Sequence, residues 1–279
     1  MKTRIITALI LLPILFGVLF LYKAVFFDIL VFVVCVISVY EASFVFEDKN
    51  NKYLFLSCIP AIIAFVFKSY IGVFVLPIAF ISIISIILFT TIKYTKINIT
   101  HILTSIFLNI LIIICFTNVI HYKEMFPYSK FGYDGIYYIL LPLAFSWGGD
   151  TMAYFAGRFF GKRKLAPHIS PKKTIEGAYG SVVGSVAFAC LVTFIYAIIK
   201  GNMFVAPTFL SYFSVIIIAI FAAPLGIVGD LFASAIKRQA DKKDYGTIFP
   251  GHGGFLDRFD SVLLTMPFIT AILYVLTNF

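Results

Sequence analysis

The stretch GDLFASAIKRQADKKDYGTIFPGHGGFLDRFD, Gly229 to Asp260, interrupts a chain that is otherwise close to hydrocarbon in character. It holds five of the thirteen carboxylates and five of the twenty-two Lys and Arg residues, and it contains a Pro250-Gly251-His252-Gly253-Gly254 turn. Asp230, Ser234 and Lys237 stand at i, i+4 and i+7, so a helix puts all three on one face. Asp257 and Asp260, three residues apart, share a face at the head of the last apolar run. Two carboxylate-bearing helix ends joined by a glycine turn suit hard divalent cations, which take oxygen ligands, and phosphate oxygens, which successive backbone N–H groups can hold. Asp257 and Asp260 could also be caps of the last helix. Capping accounts for one aspartate more readily than for two that flank Arg258, so metal binding is the reading adopted, with capping as a by-product.

Outside this stretch, composition decides the class. Of the 279 residues, 61% are hydrophobic and 13% charged, against about 25% charged in an ordinary soluble domain. Mean hydropathy is +1.02. Several apolar runs approach the ~20 residues that cross a bilayer, and they are long blocks rather than the ~10-residue alternating segments of a membrane β-barrel. The expected fold is an all-α polytopic integral membrane protein. Cys35, Cys58, Cys115 and Cys190 all lie in apolar runs with no CxxC pair, so they read as core residues rather than zinc ligands or a disulfide framework.

Nine transmembrane helices are expected, at roughly 5–22, 24–46, 53–67, 71–92, 102–120, 136–156, 178–199, 212–236 and 259–278. Lys2 and Arg4 precede the first run, which lacks a small-residue cleavage site and reads as a span rather than a removable leader. The polar breaks are too short for a soluble domain, which leaves one membrane domain over 1–279, with N-terminal helices in 1–135 and the chemistry-bearing helices and loops in 136–279. With the N-terminus cytoplasmic and the C-terminus outside, 17 basic residues fall on the cytoplasmic side and 5 outside. That is the asymmetry by which Lys and Arg set orientation. The net charge of +9 thus serves topology and anionic substrates rather than nucleic acid.

A second polar segment, GRFFGKRKLAPHISPKKTIEG, runs from Gly157 to Gly177. Ser170-Pro171 breaks any helix there, and Thr174, Glu176 and Gly177 precede the next span. It is either a basic loop on anionic headgroups or a phosphate clamp through Lys172 and Lys173. Asp150 and Asp230 lie inside apolar spans, where an ionisable side chain costs ~2.5–3.5 kcal/mol at mid-membrane and is functional by default. Gly157-x-x-x-Gly161 and Gly180-x-x-x-Gly184 have the spacing that lets helices pack closely. His252, alone among glycines, reads as structural rather than as a metal ligand. No nucleophile triad is visible. Metal-assisted phosphoryl or nucleotidyl transfer needs none, because positioning and charge neutralisation do the work.

Ser234-x-Ile236-Lys237-Arg238, then Lys243-Asp244-x-Gly246, then Pro250-x-His252-Gly253-Gly254-Phe255-x-Asp257-Arg258-Phe259-Asp260 resembles the signature of the phosphatidate cytidylyltransferase (CDP-diacylglycerol synthase) family, with no departure from it. With the upstream SPKKTIEG stretch, the resemblance covers roughly the second half of the chain; the first half is similar in hydropathy alone. The resemblance implies an enzyme of phospholipid biosynthesis that joins CTP and phosphatidic acid into CDP-diacylglycerol with release of pyrophosphate. It implies Mg²⁺ at two metal sites, a homodimer, and a plasma- or inner-membrane location with the active site on the cytoplasmic side. Asp230, Ser234, Lys237, Asp257 and Asp260 are the catalytic residues it points to, with Asp230, Asp257 and Asp260 on metal. Asp150, Lys172, Lys173, Glu176, Arg238, Lys243, Asp244, His252, Gly253, Gly254 and Arg258 are expected on substrate. A CTP-dependent lipid kinase and an ion or phosphate transporter are the alternatives. Transporters favour repeated halves with midplane sites, whereas here the charges gather toward one face.

Overall fold

The computed structural model describes residues 17, 21–22, 24–46, 50–201, 210–248 and 253–278. Their long elements are the helices α1 (Val25–Ser43), α2 (Asn51–Val66), α3 (Val75–Lys93), α4 (Ile99–Met125), α5 (Asp134–Phe160), α6 (Ile175–Ile199), α7 (Tyr212–Gln239) and α8 (Val262–Asn278). Each matches one of the expected spans; the first expected span, 5–22, lies almost wholly outside the described residues. Five stretches among the described residues are long and apolar enough to cross a membrane: α1, Lys68–Lys96 (which contains α3), α4, α6 and α7. Helices α2 and α8 are apolar but shorter. The chain is an all-α membrane protein in which the one sheet among the described residues is a small hairpin. Its strands, β1 (Lys164–Ala166) and β2 (Ser170–Thr174), pair antiparallel in the segment expected as an irregular loop.

The chain divides into two compact units, one of Met1–His121 with Ile236–Arg258 and one of Tyr122–Ala235 with Phe259–Phe279. In the first unit, polar side chains hold apolar helices together, as they must where lipid offers no hydrophobic drive between helices. Asn109 Nδ2 on α4 donates to Ser43 Oγ on α1 at 2.9 Å and lies 3.6 Å from Cys58 Sγ on α2. Pro60 interrupts the hydrogen-bond ladder of α2, and the next amide, Ala61 N, donates instead to Ser82 Oγ of α3 at 2.8 Å. Prolines in membrane helices are tolerated where a neighbouring helix supplies the missing partner.

In the second unit, α5 and α6 approach so closely that glycine is required along the seam. A Cβ at Gly149 would stand 2.7 Å from Ser185 Oγ and 2.8 Å from Ser181 Oγ, and one at Gly180 would stand 2.9 Å from the Met152 carbonyl. A Cβ at Gly184 would run into the Gly148 carbonyl and the Met152 side chain. Ser185 Oγ donates to the Phe145 carbonyl at 2.6 Å, tying the two backbones. The close-packing spacing Gly180-x-x-x-Gly184 is therefore used in that way. Gly157 lies on the same seam, where a Cβ would stand 3.7 Å from Gly177 Cα, and with Gly161 it flanks Thr174, the N-cap of α6. Helix α8 joins α5 through Ser146 Oγ, 2.7 Å from Thr265 Oγ1.

Replacing Gly184 by Leu should overpack this seam at a cost of about 1–3 kcal/mol and lower the melting temperature of the detergent-purified protein by several degrees. Val183→Leu, at a position 60% exposed, should leave it within error. Equal melting temperatures for the two variants would show that the seam is not packed as described.

Candidate active site

The residues singled out from the sequence fall into two constellations, one in each unit. In the second unit the centre is Asp230 on α7. Ser234 Oγ, one helical turn on, donates to Asp230 Oδ1 at 3.2 Å, as the i, i+4 spacing requires. Lys173 reaches the other oxygen, Oδ2, at 2.5 Å from β2 of the hairpin. Successive strand residues point to opposite faces, so Lys172 is exposed while Lys173 is partly covered and paired. Strand alternation has chosen between two adjacent lysines that look alike in the sequence. The pair keeps about a quarter of each side chain open, 25% for Lys173 and 22% for Asp230, so a ligand can compete for the ammonium.

The hairpin is fixed at both ends. Thr174 is the N-cap of α6, its Oγ1 accepting from Gly177 N at 3.1 Å. Glu176 in the first turn accepts the amides of Lys162 (3.0 Å) and Arg163 (3.2 Å), locking the start of the hairpin to the start of the helix. Asp150 on α5 accepts from Ser261 Oγ at 2.8 Å and lies within the field of Asp230 and Lys173. Asp260 Oδ1 accepts the amide of Ser261 at 2.9 Å, a local bond of the kind that starts a helix. A Cβ at Gly229 would stand 2.8 Å from the Asp260 carbonyl, so α7 passes close to the entry of α8 at that point.

In the first unit the centre is Asp257, in the single turn Leu256–Arg258. Its Oδ1 takes the Lys237 ammonium at 2.7 Å, and both side chains are nearly closed to solvent, at 8% for Lys237 and 4% for Asp257. Its Oδ2 accepts the amides of Tyr245 (2.8 Å) and Gly254 (2.9 Å), and the Tyr245 ring centroid lies 5.1 Å from the same ammonium. Asp257 thus gathers the backbone at Tyr245 and at Gly254 onto one oxygen. Helix α7 ends beside it: Asp241 takes φ 53°, Lys242 N returns to the Lys237 carbonyl at 2.8 Å, and Arg238 Nη1 donates to the Lys242 carbonyl at 3.0 Å. Arg238, Lys243, Asp244 and Arg258 are exposed. Gly253, at φ +84°, passes the Asp244 side chain. His252 lies outside the described residues.

One residue that the sequence reading did not single out takes part. Glu41, near the end of α1 and 3% exposed, accepts Phe255 N on Oε1 at 2.9 Å and Leu256 N on Oε2 at 2.8 Å. Nearby, Lys242 donates to the Phe44 carbonyl at 3.3 Å. The signal for Glu41 was an acid inside an apolar run, the criterion that picked out Asp150 and Asp230.

As ligands, Asp230, Asp257 and Asp260 offer oxygen alone, which suits Mg²⁺. Asp230 and Asp257 already attract a cation each, in the form of Lys173 and Lys237. Among the described residues, no three His, Cys, Asp or Glu side chains form a group that could hold a metal ion.

Residues 2–276 match the model of the cytidylyltransferase family, and the chain belongs to that family. It is 43% identical over 135 residues to a Bacillus subtilis protein named phosphatidate cytidylyltransferase, covering 48% of this chain and 46% of that one. A protein of the same name from Haemophilus influenzae is 38% identical over 143 residues, 51% of this chain and 48% of the relative. One from Aquifex aeolicus is 42% identical over 132 residues, 47% and 45% of the two chains. The chain spans about half the length of the curated relatives it matches.

Removing one partner of a buried ion pair strands the other, at a cost of about 3–5 kcal/mol. Lys237→Met should therefore destabilise the protein strongly in chemical unfolding followed in detergent. Lys172→Met, at an exposed position, should change stability by less than about 0.5 kcal/mol. Similar unfolding midpoints would contradict the burial of the Lys237–Asp257 pair.

Proposed function

We propose that this protein is a membrane-embedded nucleotidyltransferase that converts CTP and phosphatidate to CDP-diacylglycerol and pyrophosphate. The observation that carries the reading is that the lysine of each sequence motif stands on a carboxylate: Lys173 of SPKKTIEG on Asp230, and Lys237 on Asp257. A cation held by a carboxylate is pre-oriented, and Lys173, a quarter open, can turn toward phosphate oxygens without searching for its geometry. Family membership supplies the nucleotide class, and the names of the relatives supply the lipid acceptor.

In the reaction, a phosphate oxygen of phosphatidate attacks the α-phosphorus of CTP. The bond from that phosphorus to the bridging oxygen breaks, and pyrophosphate leaves with the electron pair. Such a step is catalysed by alignment and by neutralising charge on the transferring group. In the second unit Lys173 neutralises phosphate oxygens, oriented by Asp230, which Ser234 steadies; in the first unit Lys237 is the cation oriented by Asp257. The exposed cations Lys172, Arg238, Lys243 and Arg258 draw in the anionic substrates. Asp150, Glu176, Asp244, His252 and the Gly253-Gly254 backbone shape the surroundings. Mg²⁺, bound through Asp230, Asp257 and Asp260 at two sites, would add a stronger neutralising charge on the phosphates.

The same reading has nine spans, a cytoplasmic N-terminus, an outer C-terminus, a homodimer, and the chemistry at the cytoplasmic face of the plasma membrane, where CTP is. The 17-to-5 distribution of basic residues supports that orientation.

Purified protein given labelled CTP, phosphatidate and Mg²⁺ should form CDP-diacylglycerol and pyrophosphate, and excess EDTA should stop it. Free CDP as product would mean a lipid kinase instead. Asp257→Asn and Asp260→Asn should each lower turnover per folded molecule by on the order of 10²-fold, while Asp241→Asn should cost little. Near-normal turnover in both of the first two variants would reduce those aspartates to helix caps.

Single cysteines introduced at Lys242 and Lys123 should react with an impermeant reagent from opposite sides of sealed vesicles. Labelling from the same side would remove the nine-span orientation.

A further inference from the structure

We infer that Glu41 is a positioning residue for the chemistry, holding the turn that presents Asp257 to Lys237. The inference rests on the nucleotidyl-transfer reading above and adds a residue from α1 to it. Glu41 lies in the last turns of α1, 214 residues before Phe255, and is 3% exposed. A carboxylate so buried has lost water and persists only if other donors replace it. The donors are two successive amides, Phe255 N on one oxygen at 2.9 Å and Leu256 N on the other at 2.8 Å. They are N–H groups at the start of the single turn Leu256–Arg258.

Around this carboxylate the signature glycines act as clearance. A Cβ at Gly246 would fall onto Glu41 Oε1, with Glu41 Cδ 2.9 Å and Cγ 3.2 Å away and nothing else among its nearest neighbours. A Cβ at Gly254 would stand 2.6 Å from Oε2 and 2.7 Å from Oε1. The side chain therefore occupies a cage of two amides and two glycines. The residue after the second amide is Asp257, whose Oδ2 accepts Tyr245 N and Gly254 N and whose Oδ1 holds Lys237. Lys242 Nζ on the Phe44 carbonyl, 3.3 Å, makes a second tie from the end of α1 to the same segment. The effect of Glu41 runs through the backbone of residues 254–256 to the carboxylate that orients the lysine.

The test uses the full-length protein in detergent or nanodiscs and the variants Glu41→Gln, Glu41→Ala, Gly246→Ala and the double variant Glu41→Ala/Gly246→Ala. Glutamine keeps the volume and turns an NH₂ toward one of two N–H donors. Amide exchange in the 245–257 peptide reports whether Asp257 still holds Tyr245 and Gly254. Glu41→Gln should speed that exchange and lower kcat by on the order of 10²-fold, the effect of a small misplacement of reacting groups, with KM for CTP little changed and the melting temperature within a few degrees of wild type. Gly246→Ala should behave likewise in the wild-type background and should add nothing in the Glu41→Ala background. Unchanged exchange with unchanged kcat in Glu41→Gln overturns the inference. So does a loss of activity that merely follows loss of folded protein, or Gly246→Ala being as damaging in the Glu41→Ala background as in the wild type. Should the wild-type protein make no CDP-diacylglycerol, the functional reading fails separately, and the exchange data still decide whether Glu41 sets the position of Asp257.

Discussion

Asp257 is surrounded as an ion in a membrane protein must be. Its charge has largely left bulk water, and three donors from the chain stand in for it: Lys237 at 2.7 Å on Oδ1, Tyr245 N and Gly254 N at 2.8 and 2.9 Å on Oδ2. The attraction within a buried pair does not by itself exceed the cost of desolvating both partners. The additional backbone donors shift the balance, and they determine structure as they do so. Two amides, twelve and three residues upstream, meet on one carboxylate oxygen, so the positions of Tyr245 and Gly254 are set by the electrostatics of one side chain.

The second unit solves a different problem, placing a flexible lysine on a helix it does not belong to. Glycines bring α5 and α6 close enough for Ser185 Oγ to reach a backbone carbonyl across the seam, and the hairpin between them inherits that rigidity. The Thr174 cap and the Glu176 grip on the Lys162 and Arg163 amides then fix the hairpin against α6. Lys173 is delivered to Asp230 by backbone it cannot move. A lysine on a free loop would lose most of the gain from such a contact to side-chain and backbone entropy.

Hydropathy made the helices legible because a span has to satisfy its own backbone whatever its neighbours do. All eight expected spans that fall on described residues have a matching helix, though the ends differ: α5 runs to Phe160, past the expected end at 156. Asp230, Ser234 and Lys237 were legible because helical spacing alone puts them on one face. The hairpin was not. Its strands are only three and five residues long, Pro171 sits within one of them, and only pairing with each other makes them strands. Nor could spacing show that Asp257 would collect amides from Tyr245 and Gly254, since a loop has no period to extrapolate. Lys172 and Lys173 were separable only once residues 170–174 were known to be extended.

Glu41 marks where a rule was available and stopped short. An acid within an apolar span is expensive and therefore informative, and that reasoning singled out Asp150 and Asp230 in the second half of the chain. It applies equally to α1, where Asp28 is 2% exposed and takes the Tyr70 hydroxyl at 2.8 Å, and Glu41 is 3% exposed. Glu41 lies close to the polar break that follows α1, so in the sequence it passes for a helix-end charge. Sequence spacing relates a residue to its neighbours along one element, whereas the partners of Glu41 are amides with no side-chain identity, more than two hundred positions away. What the sequence does carry is the converse: Gly246 and Gly254 lack side chains where Glu41 needs the room. A glycine with ordinary backbone angles inside a motif is a question about what passes beside it. Here the answer is a carboxylate from α1, so the stretch that decides the chemistry is shaped by a residue from the half of the chain that hydropathy alone had described.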